Sequence, residues 1–181
     1  MSLKNKNVVI GVCGSIAAYK SCDIIRGFVK FGANVECILT NGGAEFITSL
    51  TLQTLSKNKV YFGMFDVSDS WEINHVSLAK KADVIVIAPA TADIIARFAC
   101  GRADDLLTCT ALASKAKILI CPAMNSSMLN HKATQNNIET LKSYGYNLVM
   151  PEKGELACGD YGDGRLASVE VILSAVESLF S

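Results

Sequence analysis

Residues 84–93 read VIVIAPATAD. Val84, Ile85, Val86 and Ile87 are β-branched, and with Ala88 and Pro89 they make an apolar run of strand length. A strand with no polar residue on either face must be covered on both faces. That is the condition of a parallel sheet with helices above and below it. The run ends at Pro89, small and polar residues follow, and residues 92–99 return to helical spacing. Strand, tight turn and helix make up the repeating unit of an α/β fold.

The same unit recurs on both sides of this stretch. Residues 7–13 (NVVIGVC), 34–40 (NVECILT) and 117–123 (KILICPA) read as buried strands, and 147–150 as a last short one. Helices are predicted over 16–31, near 44–47 and 51–56, and over 74–81, 104–114, 127–144 and 168–180. Ser168 is the expected N-cap of the final helix. Residues 59–63 are ambiguous, and 151–165, with four glycines, read as a loop. This alternation predicts one doubly wound parallel α/β sheet with helices on both faces, spanning 1–181 as a single domain. Crossovers should be right-handed, and a ligand should sit outside the carboxyl ends of the strands.

Composition narrows the function. Seventeen basic and seventeen acidic residues give zero formal net charge, so no basic excess draws nucleic acid or an anionic membrane. The apolar run at 84–92 falls far short of the roughly 20 residues that a spanning helix needs. MSLKNKN leads straight into a strand, with no signal-peptide core, which points to the cytoplasm. Seven cysteines, an odd number lying mostly in apolar segments, read as reduced buried thiols. No CxxC pair occurs, so no metal site is expected.

Five clusters could carry chemistry. In GVCGSI (11–16), Gly14 permits a sharp turn and Ser15 can cap a helix whose free N–H groups suit a phosphate. The pattern matches neither GxGxxG nor GxxxxGK[ST]. In APATAD (88–93), Thr91 and Asp93 lie among alanines small enough to admit a ring or a phosphate. His75 begins a helix before a buried strand, where it can act as a base or orient a carboxylate or thiol. His131 fits a structural role better. In PAMN (122–125), Asn125 can bond a carboxylate. Cys158 sits in a polar, glycine-rich stretch that reads as a binding loop. Each cluster also has a plain reading: a capped strand–helix turn, a structural histidine, or a bystander thiol.

The motifs GSIAAYK (14–20), NHVSLAKKAD (74–83), IAPATADIIAR (87–97), ADDLL (103–107), PAMNSSM (122–128) and LACGDYGDGRL (156–166) occur in that order. On them, the chain from residue 7 to about 168 resembles the homo-oligomeric flavin-containing cysteine decarboxylases, with PAMN and ACGD the most specific pair. The resemblance implies a Rossmann-like flavoprotein fold and a noncovalent FMN. Its phosphate is expected near Gly14, Ser15, Ile16 and Thr40, and its ring and ribityl chain against Thr91, Ala92, Asp93, Ile94 and Ala123. The site is expected between subunits of a homo-oligomer built from trimers, so that one chain makes only part of it.

The implied reaction converts 4′-phosphopantothenoylcysteine to 4′-phosphopantetheine in coenzyme A biosynthesis. The substrate thiolate loses a hydride from its β-carbon to FMN, the thioaldehyde loses carbon dioxide, and the enethiolate is then reduced. His75 is implied in the oxidative half and Asn125 in gripping the substrate carboxylate. Cys158 is implied as the proton donor of the final reduction, and the backbone of Glu155, Leu156 and Ala157 as a substrate clamp. Position 93 is Asp where many family members carry Asn, and both occur. The synthetase domain to which this module is often fused is missing from 1–181. Alternative expectations are a lantibiotic-type peptidyl-cysteine decarboxylase, which stops at the enethiol, a flavin prenyltransferase, and a non-catalytic regulatory flavoprotein.

Overall fold

The computed structural model describes residues 3–65, 73–157, 159 and 161–180. Six strands form one all-parallel sheet: β1 Asn7–Val12, β2 Asn34–Leu39, β3 Val60–Tyr61, β4 Val84–Ala90, β5 Lys117–Pro122 and β6 Asn147–Leu148. Their order is β3-β2-β1-β4-β5-β6. The chain thus winds outward from β1 in one direction and from β4 in the other, and the crevice between β1 and β4 is the topological switch point. The expected doubly wound α/β sheet is present; the short helices α2 (Asn41–Ala44) and α3 (Ser49–Ser56) follow β2, and the ambiguous stretch 59–63 holds the short edge strand.

Side chains along each central strand divide between two cores. Val8, Ile10 and Val12 of β1 and Val84, Val86 and Ala88 of β4 face one core. Helices α1 (Ser21–Lys30) and α9 (Val169–Ser178) close it with Ile24, Ile25, Phe28, Ile172, Leu173 and Val176. Val9, Ile85 and Ile87 face the other core. There they meet α4 (Asn74–Lys81), α5 (Ala92–Ala99), α6 (Leu106–Ala113) and α8 (Lys132–Ser143) through Leu78, Ile95, Leu107 and Ile138. This two-sided burial explains why the strands carry no polar alternation. The exception is Glu36 on β2, a buried residue whose carboxylate meets Lys81 Nζ of α4 at 3.0 Å. Among the described residues no helix is long and apolar enough to cross a membrane.

Several sequence expectations are corrected. Residues 16–31 are not one helix: a 3-10 turn, Ile16–Lys20, precedes α1, and the buried Ser21 at the junction donates its hydroxyl to the Ala88 carbonyl at 2.8 Å. Residues 127–144 are likewise two helices, α7 (Ser126–Asn130) and α8, broken at His131, whose backbone is extended and whose Nδ1 accepts the Ala133 N–H at 3.2 Å. The expected loop 151–165 holds an antiparallel hairpin of β7 (Glu152–Glu155) and β8 (Tyr161–Arg165). Ser168 stands at the N-cap position of α9 but makes no side-chain cap bond; its N–H goes to Glu152 Oε1 at 2.8 Å. The cysteines are also less uniformly buried than expected: Cys13, Cys37 and Cys121 are buried, Cys22 and Cys109 half-buried, and Cys100 exposed.

Candidate active site

The four central strands all end at a capping residue. After β1, Ser15 Oγ accepts from Ala17 N at 3.3 Å. After β2, Thr40 Oγ1 accepts from Gly43 N at 3.1 Å and donates to the Val12 carbonyl. Thr91 Oγ1 accepts from Ile94 N at 3.3 Å after β4, and Asn125 Oδ1 from Ser127 N at 2.8 Å after β5. The plain reading of Ser15, Thr91 and Asn125 as caps therefore holds, Thr40 joins them, and the four caps are also what builds the site. A parallel sheet puts every strand end on one edge, so four N-terminal turns present their partial positive charge there together. The turns after β1 and β2 lie almost in contact. A Cβ on Gly14 would sit 3.0 Å from Cα and C of Gly42, so only glycine lets the two backbones approach this closely.

Two cavities open on this edge. One, of about 560 Å³, lies over the switch point and is lined by Gly14, Thr40, Thr91, Asp93 and Ile94 among others. Exposed Phe62 and Phe65 form part of its wall. Its floor holds a charge cluster that sequence reading passed over. Arg97 Nε meets Asp93 at 2.9 Å, and its Nη1 meets Asp104 at 3.1 Å and Asp105 at 3.2 Å. Asp105 also caps α6, so Arg97 ties the start of α5 to the start of α6. The Asp93–Arg97 spacing of four was visible in the sequence; the other two partners come from a different motif. Cys13 also lines this cavity, and its thiol is pushed well above the usual range by burial and by Asp105 and Asp93. Burial of this kind disfavours the thiolate, the nucleophilic form.

The other cavity, of about 650 Å³, is lined by Ser15, Ile16, Ala123, Asn125, Glu155, Leu156 and Ala157 among others. The hairpin forms one wall because it is docked on the PAMN turn. Met124 donates its N–H to the Gly164 carbonyl at 3.0 Å, and Ser126 Oγ bonds the Asp163 carbonyl. Gly164 has φ +128, and a Cβ there would run into the Met124 carbonyl oxygen. The expected cofactor residues are thus shared between two cavities on either side of the Gly14–Ser15 turn. Ala92, the first residue of α5, lines neither of them.

His75 also lines neither cavity. It sits in the first turn of α4, on the face of the sheet opposite the core that Ala123 and Leu166 enter. Its Nδ1 is buried and has no hydrogen-bond partner among the described residues, an unusual cost for a native fold. Cys158 lies outside the described residues. Among those that are described, no group of His, Cys, Asp or Glu could hold a metal ion.

With this geometry in view, comparison with known proteins is decisive. The Flavoprotein family model matches residues 1–181. The chain belongs to the Flavoprotein family. Within the family it is 45% identical over 181 residues to the Coenzyme A biosynthesis bifunctional protein CoaBC of Haemophilus influenzae, covering all of this chain and 45% of that protein. It is 42% identical over 174 residues to a probable phosphopantothenoylcysteine decarboxylase of Streptococcus mutans, covering 95% of this chain and 97% of that one. The chain therefore spans less than half the length of the bifunctional relative. Among solved structures, a cysteine-to-serine mutant of PPC decarboxylase complexed with pantothenoylaminoethenethiol superposes with TM-score 0.88 at 31% identity, over 98% of this chain and 99% of that one. The FMN-binding protein AtHal3 superposes with TM-score 0.84 at 32% identity, over 98% and 97%. These matches extend over 95–100% of this chain.

Proposed function

We propose that this chain binds FMN and decarboxylates 4′-phosphopantothenoylcysteine to 4′-phosphopantetheine in coenzyme A biosynthesis. The observation that supports this best is the docking of the hairpin on the PAMN turn, which brings Asn125 and the 155–157 backbone onto one cavity. Relatives named for this decarboxylase and for coenzyme A biosynthesis match nearly the whole chain. The cofactor fits what the chain offers: backbones in close approach at Gly14 and Gly42, and cavities within the roughly 300–1,000 Å³ typical of cofactor sites. Gly14, Ser15, Ile16 and Thr40 would receive its phosphate, and Thr91, Ala92, Asp93, Ile94 and Ala123 its ribityl chain and ring. The chemistry that FMN would supply there when bound is reversible two-electron oxidation and reduction at the thiol-bearing carbon.

The protein's own residues do the rest. Asn125, held by its cap bond to Ser127 N, offers its amide N–H₂ to the substrate carboxylate and orients it for loss of carbon dioxide. Residues 155–157 clamp the substrate from the hairpin side. The buried, unpartnered Nδ1 of His75 is the group poised to take a proton or a hydrogen bond during oxidation at the thiol end. Cys158 supplies the proton that accompanies reduction of the enethiolate. His75 and Asn125 do not share a cavity in one chain, which favours a site completed between subunits of a trimer-based homo-oligomer acting in the cytoplasm. Residues 1–181 act as one domain.

The test is incubation of the yellow protein with phosphopantothenoylcysteine and mass analysis of the product. Loss of carbon dioxide alone supports the proposal. Loss of carbon dioxide and two further hydrogens places the chain among oxidative peptidyl-cysteine decarboxylases. A flavin-loaded protein that leaves the substrate unchanged sinks the decarboxylase reading.

A further inference from the structure

The second cavity carries a feature that the steps above do not use. Lys20, the last residue of the 3-10 turn, and Arg165, the last residue of β8, both line it. The two cations are near enough to repel: the Lys20 ammonium is held below its ordinary pKa, first by partial burial and then by the Arg165 charge. No carboxylate among the described residues offsets them through an ion pair. Glu152, opposite Arg165 in the hairpin, accepts the Ser168 N–H on Oε1 and offsets the charge on Lys20 more weakly than Arg165 opposes it. The hairpin is also shaped to let Arg165 lie flat, since a Cβ on Gly154 would meet Arg165 Cδ at 3.0 Å and Nη1 at 3.2 Å. Two cations on one cavity wall, offset among the described residues only by the weaker influence of Glu152 on Lys20, suit an anionic group of a ligand.

We propose that Lys20 and Arg165 form a phosphomonoester-binding pair on the wall of the cavity that holds Asn125. A dianionic phosphate matches two adjacent cations in charge, and the Arg165 fork can grip two of its oxygens. The pair rests on the proposed reaction, which brings two such groups to this edge: the 4′-phosphate of the substrate and the phosphate of the cofactor. In the first case the pair is a specificity determinant, since Asn125 already takes the carboxylate at the opposite end of the substrate.

The experiment compares wild type with Lys20→Gln, Arg165→Gln and the double variant in two arms. The first arm measures kcat/KM for phosphopantothenoylcysteine and for its dephosphorylated counterpart. The second measures the dissociation constants of FMN and riboflavin on the apoprotein by fluorescence. A ratio within each pair of ligands is insensitive to general damage to the fold. If the substrate phosphate is the occupant, wild type prefers the phosphorylated substrate and each variant lowers that preference by about 10–100-fold, as expected for loss of a charge-assisted bond. If the cofactor phosphate is the occupant, the FMN-to-riboflavin preference falls by a similar factor instead. Either result supports the pair and identifies its ligand. Both ratios unchanged in the double variant overturn it. If wild type turns over neither substrate, the decarboxylase reading fails, and the pair is judged on the flavin arm, where an unchanged ratio overturns it.

Discussion

Met124 donates its backbone N–H to the carbonyl of Gly164, 40 residues away, at 3.0 Å. This bond joins the turn that carries Asn125 to the hairpin that carries residues 155–157. It exists because residue 164 has no side chain: at φ +128 a Cβ there would lie only 2.1 Å from the Met124 carbonyl oxygen. Gly164→Ala is therefore expected to strain the backbone by about 1–3 kcal/mol. For a chain of this size that is a fall of about 2–4 °C in Tm per kcal/mol, read by thermal denaturation. Activity should fall further than the loss of folded protein explains, because the cavity wall shifts. A variant with unchanged Tm and kcat/KM would show that the hairpin's docking is irrelevant to the site.

Asn125 separates structural from chemical roles. As an N-cap it needs only an oxygen acceptor for Ser127 N, and Asp supplies one equally well. Toward a carboxylate substrate the two differ in sign, since Asp repels what the Asn amide attracts. Asn125→Asp should leave Tm within about 1 °C of wild type, as an equivalent cap would. It should lower kcat/KM for the decarboxylation by about 10²–10³-fold. Equal activity of the two proteins would remove Asn125 from the carboxylate site.

The central fold was legible because its signal is local. VIVIAPATAD shows strand, turn and helix within ten residues, and both faces of β4 are apolar because both are buried. The hairpin was not legible for the opposite reason. Glu152–Glu155 and Tyr161–Arg165 show no apolar alternation, and their pairing depends on tertiary docking against Met124 and Ser126. The break after Lys20 likewise follows from Ser21 reaching the Ala88 carbonyl, 67 residues distant. At the site, the capping residues could be read one by one from spacing. That they fall into two cavities, and that Arg97 gathers Asp93, Asp104 and Asp105, appears only once the strands are ordered.

The proposed function places Cys158 in the second half of the reaction alone, so its removal should divide the reaction in two. Cys158→Ser is expected to release carbon dioxide but to accumulate an enethiol lighter than the saturated thiol by two hydrogens, seen by mass analysis of the product. The solved complex of a cysteine-to-serine PPC decarboxylase mutant with an ethenethiol compound favours this outcome. Normal conversion of substrate to the saturated thiol by the variant would show that the proton comes from elsewhere.

His75 tests the first half. Its Nδ1 is buried and unpartnered, which costs stability unless a ligand or a neighbouring subunit completes the bond. His75→Asn removes the imidazole base while the capped turns that would receive the cofactor, at Gly14, Thr40 and Thr91, stay untouched. The variant should therefore purify yellow. Mixed with substrate under anaerobic conditions, it should bleach its flavin about 10²–10⁴-fold more slowly than wild type, the usual contribution of a positioned acid or base. Carbon dioxide release should slow by the same factor, since decarboxylation follows oxidation. Flavin bleaching at the wild-type rate would place the base elsewhere, and a colourless variant would make His75 part of the flavin site instead.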